Sequence, residues 1–380
     1  MTSGEKPQDP RLLHTIGLDI GRVMRDVGRR GLRRQLSGTL RDLESFYLSE
    51  ERRERLAGLK PASKLAHRLL WLLRGLLMKL PPARRVLLAL ALVLIVVGNA
   101  TLRFGNVSLN FDFHATGDVL LLVILMLELK DKLVARDELQ AGRAVQLALM
   151  PQRDPSVPGW DIWMFTQPAN DVGGDLVDHL ALGDGRHGVV LGDVAGKALP
   201  AALLMVKLQA TLRALIPQAR SLADLGAAVN RILVRDGLSN RFATLVYLVL
   251  DPASSSVALL NAGHPPPLLL RGRVASELPA GSMALGMMPD ATFEDQCADL
   301  GDGDVLVVYS DGITEAENDA GEFFGDARLR AAVTEAAGGE AAGIGAAVLA
   351  ALKTFVGEAP PHDDVSVVVV RRQPGDQRGT

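Results

Sequence analysis

Residues 173–198 read GGDLVDHLALGDGRHGVVLGDVAGKA. Two short β-rich runs, 177–182 and 189–191, flank Gly183-Asp184-Gly185, a strong hairpin signal. Folding the segment about Asp184 sets Asp175 opposite Asp193 at the open end of the hairpin. A second acidic pair comes from two further strand-like runs. Asp311 follows the run 305–309 in VLVVYSDG, and Asp363 precedes the run 365–370 in HDDVSVVVV. If those strands pair antiparallel, the end of one meets the start of the other, and Asp311 and Asp363 share a sheet edge.

Four carboxylates at one rim repel each other and raise their own pKa values. Hard divalent cations relieve that repulsion, and an oxygen-only ligand set points to Mg²⁺ or Mn²⁺, not zinc. Two such ions lower the pKa of a bridging water, making hydroxide available for attack on a phosphoryl or acyl centre. The competing reading takes each Asp as a turn former or edge charge, as most Asp-Gly pairs are. The placement of all four at strand ends favours a site.

Further strand-like runs lie at 243–250 and 257–260. Helical stretches lie at 197–216 and 221–236, with an Ala-rich one at 326–356. Strands in runs with helices between them predict an α+β layered domain. There is no regular βαβ alternation and no Walker-type loop, which argues against a nucleotide-binding fold of either kind.

Six stretches in order carry a family resemblance: VGGDLVDHLALGDGRHGVVLGDVAGKALPAALLM, FATLVYLVLD, NAGHPPPLLL, ALGMMPD, DVLVVYSDGITEAENDAGEFFGDARL and HDDVSVVVV. Over about residues 137–372 the chain resembles the SpoIIE/RsbU-type branch of the metal-dependent (PPM, type 2C-like) protein Ser/Thr phosphatases. The helix ELQAGRAVQLALMPQ is similar to the segment that enters the domain in that family. The resemblance implies an αββα sandwich, two Mn²⁺ or Mg²⁺ ions, and removal of phosphate from phosphoserine or phosphothreonine on a protein. By motif, Asp193 would bridge both metals and the carbonyl of Val194 would add a ligand. Asp311 and Asp363 would complete one metal's shell, and Asp175 would act on the second, directly or through water. Asp178 and Asp364 are weaker candidates. No protein nucleophile is implied, since hydroxide attacks phosphorus while the cations offset phosphoryl charge.

Three motifs depart from the family pattern. Leu176 and Val177 stand where aromatics often follow the GGD motif, and Ala198 stands where Gly usually follows GDVAGK. QPANDVGGD lacks the Arg with which eukaryotic-type relatives hold phosphate, so the substrate-binding residues are unassigned. Lys197 either attracts phosphate or is a solvated charge. His264 in NAGHPPP either orders its turn or acts directly, and Asn261 would satisfy local backbone groups. His362 is either a neighbour of the metal shell or a loop residue. Met283, Met287 and Met288 read as packing residues.

The chain has 380 residues, 48% of them hydrophobic and 22% charged, which excludes wholesale disorder, collagen and a many-helix transporter. Its single Cys297 excludes an internal disulfide framework and a Cys-rich zinc site. The net charge of −3 hides an asymmetry: residues 1–85 carry 19 Lys/Arg against 9 Asp/Glu, and the remainder is strongly acidic. Arg29, Arg30, Arg33 and Arg34 cluster without a nucleic-acid reader motif, so no nucleic-acid partner is expected. Residues 69–80 suit an amphipathic interfacial helix.

An apolar run at 86–97, extended through Leu102, approaches the length that spans a bilayer, and a shorter run follows at 119–127. Arg84 and Arg85 precede the first; Lys130, Lys132 and Arg136 follow the second. By the positive-inside rule both ends are cytoplasmic and 103–117 is a short outer loop. A buried hairpin in a soluble domain is the alternative.

The expected division is a basic helical region (1–85), a membrane hairpin (86–127), a linker helix (128–150), the phosphatase domain (151–372) and a tail (373–380). The expected location is the inner (cytoplasmic) membrane, with the catalytic domain in the cytoplasm. The expected partners are membrane lipid, a second copy in a homodimer, and a phosphoprotein, by family habit a STAS-domain anti-sigma-factor antagonist in a partner-switching pathway. The rival functions are a membrane-tethered scaffold without turnover and a hydrolase of small phosphate esters.

Overall fold

Pro82, at the first helical position, starts helix α1 (Pro82–Val97), and Gly98 at φ +70° ends it. The computed structural model describes residues 67, 71, 74, 75, 77–104, 107–151, 154–183, 185–236 and 241–374. The basic cluster Arg29, Arg30, Arg33 and Arg34, the turn residue Asp184 and the tail from 375 lie outside the described residues, as does most of the stretch 69–80. The chain divides into two units, Met1–Asp131 and Lys132–Thr380.

In the first unit α1 does not continue through Leu102. Its 16 residues rise about 24 Å, less than the ~30 Å of a hydrocarbon core. Strand β1 (Asn99–Phe104) follows and pairs antiparallel with β2 (Val107–Asp112), so the segment 103–117, read as a short outer loop, contains the second half of a hairpin. Asp112 Oδ1 accepts the Ala115 N–H at 2.9 Å and caps helix α2 (Phe113–Leu149). The apolar run at 119–127 and the linker at 128–150 are one 37-residue helix. A Cβ at Gly117 would strike the Ile95 side chain and the Ala91 carbonyl, so this glycine lets α2 lie close against α1. Arg84 donates to Glu128 and Asp131, each at 2.6 Å. Ala91 and Ile124 are buried, whereas Val86, Val93 and Val96 on α1 and Val119, Leu125 and Met126 on α2 are exposed.

In the second unit the strand runs are apolar on both faces because both faces are covered. One antiparallel sheet contains β4 (Leu176–Ala181), β5 (His187–Val194), β6 (Ala243–Leu250), β7 (Ser256–Ala262) and β10 (Gln296–Asp299), in the order β10-β7-β6-β5-β4. The other contains β3 (Trp160–Gln167), β8 (Leu268–Arg271), β9 (Val274–Glu277), β11 (Val305–Tyr309) and β12 (Val365–Arg372), in the order β3-β12-β11-β8-β9. Val189, Leu191, Val246, Leu248, Leu306, Val308, Val368 and Val370 fill the space between the sheets. The alternate residues face outward onto helices. Val190 and Val194 meet α3 (Ala198–Leu215) and α4 (Leu222–Arg235). On the other side Val305, Val307, Val367 and Val369 pack in one cluster with residues of α6 (Gly325–Glu335) and α7 (Ala341–Val356).

The unit is an αββα sandwich, as the sequence leads one to expect. The Ala-rich stretch 326–356 is two helices, parted at Gly338-Gly339. Among the described residues one helical stretch, Ala198–Gln218, is long and apolar enough to cross a membrane. Here it covers the first sheet, burying Ala201, Leu204, Met205, Leu208 and Leu212.

Candidate active site

Strand register brings the acidic residues to one rim. Leu176 pairs with Gly192 across β4 and β5, which continues to Asp175 opposite Asp193. Tyr309 pairs with Val367 across β11 and β12, so Asp311 and Asp363 both sit just beyond the same end of that ladder. Asp311 opens a single helical turn, α5 (Asp311–Thr314). A Cβ on Gly312 would collide with the Asp364 carbonyl oxygen, so only glycine lets this turn press against the start of β12. Asp193, Val194, Asp311 and Asp363 line a cleft of about 520 Å³ with Lys197, Thr244 and His264. Asp175 is not among the lining residues; it is 3% exposed and lies behind Asp193.

Three residues that sequence reading passes over or leaves open hold the rim. Ser310 is fully buried, donates its hydroxyl to the Asp364 carbonyl at 3.2 Å and accepts the Ser366 N–H at 2.9 Å. It ties β11 to β12 one residue before Asp311. The Asp364 carboxylate accepts N–H groups from Ala169 at 2.8 Å and Gly174 at 2.6 Å, clasping the loop that carries Asp175. His264 spans the sheets: its Nε2 faces the Tyr309 carbonyl at 3.0 Å and its Nδ1 faces Thr244 Oγ1 at 2.8 Å. A carbonyl only accepts, so Nε2 carries the proton and Nδ1 accepts from the threonine, an assignment made from the network. Burial lowers the ring to about 4, so it stays neutral. Asn261 bonds both the N–H and the carbonyl of His264, at 2.9 and 3.0 Å. Phe242 and Glu315 also line the cleft and carry no signal of their own in the sequence.

The electrostatics are those of crowded anions. Burial, then the facing Asp193, push the Asp175 carboxyl well above the usual carboxylate range. Burial, then the charges of Asp311 and Asp363, lift Asp193 to about 7. Burial, then Glu315 and Asp363, raise Asp311. Asp175 Oδ2 is buried and has no hydrogen-bond partner. Lys197 Nζ stands 3.1 Å from Asp363 Oδ2 and donates to the His362 carbonyl at 2.6 Å.

Among the described residues no three His, Cys, Asp or Glu side chains are grouped closely enough to hold an ion as they stand. The donor set still fits a hard divalent cation. It is all oxygen, one oxygen is orphaned, and mutual repulsion is the term a cation removes.

Asp178 belongs elsewhere. On β4 it accepts from Arg213 Nε and Nη2, each at 2.8 Å, and from Gln209 Nε2 at 2.9 Å, which locks α3 to the sheet. Met283, Met287 and Met288 are exposed, not packed as the sequence reading expected, and among them only Met283 and Met288 border a separate surface depression.

Residues 183–373 match the family model described as Stage II sporulation protein E (SpoIIE). The chain is 31% identical over 235 residues to Protein IcfG of Synechocystis sp., an alignment covering 54% of this chain and 37% of that protein. It is 24% identical over 188 residues to Phosphoserine phosphatase RsbU of Bacillus subtilis, covering 49% of this chain and 56% of that one. It thus spans less than two thirds of either relative. Among solved structures it is similar to the SiaA-PP2C domain of Pseudomonas aeruginosa, with a TM-score of 0.56, 20% identity, and coverage of 63% of this chain and 98% of that one. That likeness is one of fold.

Proposed function

Because this chain belongs to the SpoIIE family, we propose that it is a metal-dependent phosphoserine/phosphothreonine protein phosphatase tethered to a membrane. The observation that carries this reading is the meeting of Asp193, Asp311 and Asp363 at one cleft, with Asp193 raised to about 7 by burial and its neighbours. A site that strained is built to be neutralised. RsbU is named a phosphoserine phosphatase, which supports the same reaction here.

Asp193, Asp311, Asp363 and the Val194 carbonyl would hold Mn²⁺ or Mg²⁺, with Asp175 behind them serving the second ion. When bound, the two ions supply an acidified water and neutralise the phosphoryl oxygens. The chain's own residues do the rest. Ser310 and Gly312 fix Asp311 against the start of β12. The Asp364 clasp sets the height of Asp175. Neutral His264 holds Thr244 beside Asp193 without adding a positive charge that would compete for the carboxylates. Lys197 offers an ammonium at the cleft, and a phosphoryl group could draw it from Asp363.

The substrate in this reading is a phosphorylated STAS-type anti-sigma-factor antagonist in a partner-switching pathway. Exposed apolar residues on α1 and the first half of α2 support contact with lipid, and the basic residues before 86 suit an anionic leaflet. The catalytic domain would face the cytoplasm at the inner membrane. Exposed Leu133, Val134 and Val145 along α2 suit pairing of two copies. Full activity in a monomer lacking residues 1–127 would refute the pairing.

The deciding experiment is Mn²⁺-dependent turnover of p-nitrophenyl phosphate and of phosphoserine peptides, with Asp193→Asn as control. Turnover by the wild type alone supports the phosphatase. Inactivity of both proteins would favour the scaffold, and turnover of small esters without phosphopeptides would favour the small-ester hydrolase.

A further inference from the structure

A second cavity of about 390 Å³ opens beside the catalytic cleft and shares Glu315 and Asp363 with it. The two differ in chemistry. The cleft is walled by carboxylates and by Lys197, Thr244 and His264, whereas the cavity is walled by Phe165 on β3, by Leu349, Leu352 and Val356 along α7, and by Pro360 and Pro361.

The walls are preformed. A Cβ at Gly345 would strike the Trp163 ring, so α7 lies directly on β3 there. Trp163 in turn stacks on Phe165 with ring centroids 5.8 Å apart. The two prolines fix the backbone that closes the far side. An apolar concavity held open by rigid neighbours is the usual form of a binding pocket.

Resting on the phosphatase reading above, we propose that this cavity receives an apolar side chain of the phosphoprotein substrate, a few residues from the phosphorylated serine. Continuity identifies the occupant. A chain whose phosphate sits at Asp193, Asp311 and Asp363 and that leaves the cleft on the side of Glu315 and Asp363 crosses the rim shared with the cavity. An extended chain advances about 3.3 Å per residue, so its next few side chains reach the cavity. A small phosphate ester has nothing to place there. The charge at the mouth adds selectivity. Asp363 is offset by Lys197, and Glu315 and Glu317 outnumber the remaining Lys353, so an acidic side chain at the same substrate position is disfavoured.

The test walks a single Leu, and separately a single Asp, through positions −4 to +4 of an Ala/Ser phosphoserine peptide, with Mn²⁺ and the full-length protein. The readout is the ratio of kcat/KM for the Leu peptide to that for the Asp peptide at each position. This ratio does not depend on how much of a preparation is folded.

The wild type is expected to show one or two adjacent positions with a ratio of about tenfold or more, the value of burying one Leu side chain. Leu349→Trp, which fills the cavity, is expected to bring that ratio to within twofold of unity, and Val356→Phe to lower it several-fold. A flat profile in an active wild type, or a preference that survives both substitutions, overturns the cavity and leaves the phosphatase standing. Absence of turnover on every peptide and on p-nitrophenyl phosphate overturns the phosphatase and the cavity together.

Discussion

Where β4 meets α3, Asp178 is buried and both its oxygens accept hydrogen bonds, from Arg213, Gln209 and the His179 N–H. Three residues earlier Asp175 is buried just as deeply, yet one of its oxygens has no partner and Asp193 faces it. Burial is common to both; partners are not. A carboxylate given cationic donors holds the fold together. One that faces another carboxylate, with no cation beside it, is held well above the usual carboxylate range and weakens the fold when ionised. The contrast separates a neutralised acid on β4 from a repelled one just before it.

The sharpest way to break this comparison is to exchange the expected losses. Asp193→Asn should abolish Mn²⁺-dependent turnover, by on the order of 10³-fold or more, since several kcal/mol of charge stabilisation goes with the ions. The same substitution should leave the metal-free domain at least as stable, because it removes a repelled charge. Thermal melts beside phosphatase assays check both; a marked drop in melting temperature would contradict the repulsion.

Asp178→Ala should do the reverse. It should cost about 2–4 kcal/mol in urea unfolding, below the full value of a buried pair because Arg213 is half-exposed. Turnover per folded molecule should change less than twofold. A selective loss of turnover would place Asp178 with the catalytic group instead.

The dependence on pH follows from the raised groups. Asp193 titrates near 7 when folded and near its ordinary value of 3.8 when unfolded. Between those values the folded protein holds more protons, so stability falls as pH rises. The metal-free domain should therefore lose several degrees of melting temperature from about pH 4 to about pH 7, and saturating Mn²⁺ should restore them at the upper end. A melting temperature that is flat or rises over this window would break the contrast.

The smallest effect concerns the backbone. Ala198 is the one non-glycine residue with positive φ among the described residues, at +61°, where the family usually has glycine. Ala198→Gly should stabilise by about 0.5–1 kcal/mol, the left-handed strain less the added freedom of the unfolded chain. A destabilised variant would show that Ala198 is held there by contacts and not strained.

The pairing of β4 with β5 was legible because side-chain period and turn chemistry are local. Gly183 and Gly185 mark the turn, and the register of Leu176 with Gly192 follows from counting outward. The valine runs at 305–309 and 365–370 announced buried strands for the same reason. Other features had no local signal. β3, β8, β9 and β10 are short or interrupted by polar residues and take their shape from the strands they join. The hairpin β1–β2 and the continuity of α2 escaped a reading by apolar runs, since polar residues continue a helix as readily as apolar ones.

By itself the sequence determined which acids stand at strand ends, the family they resemble, and the oxygen-only character of the site. Spacing and residue type are enough for that. Only the tertiary structure decided which buried acid meets Arg213 and which meets another acid, that His264 is a neutral strut, and that an apolar cavity adjoins the cleft. Those outcomes depend on residues far apart in the chain, such as Asp178 with Arg213 or Phe165 with Val356. Which of them meet is set by how layers pack, a long-range property that no local pattern encodes.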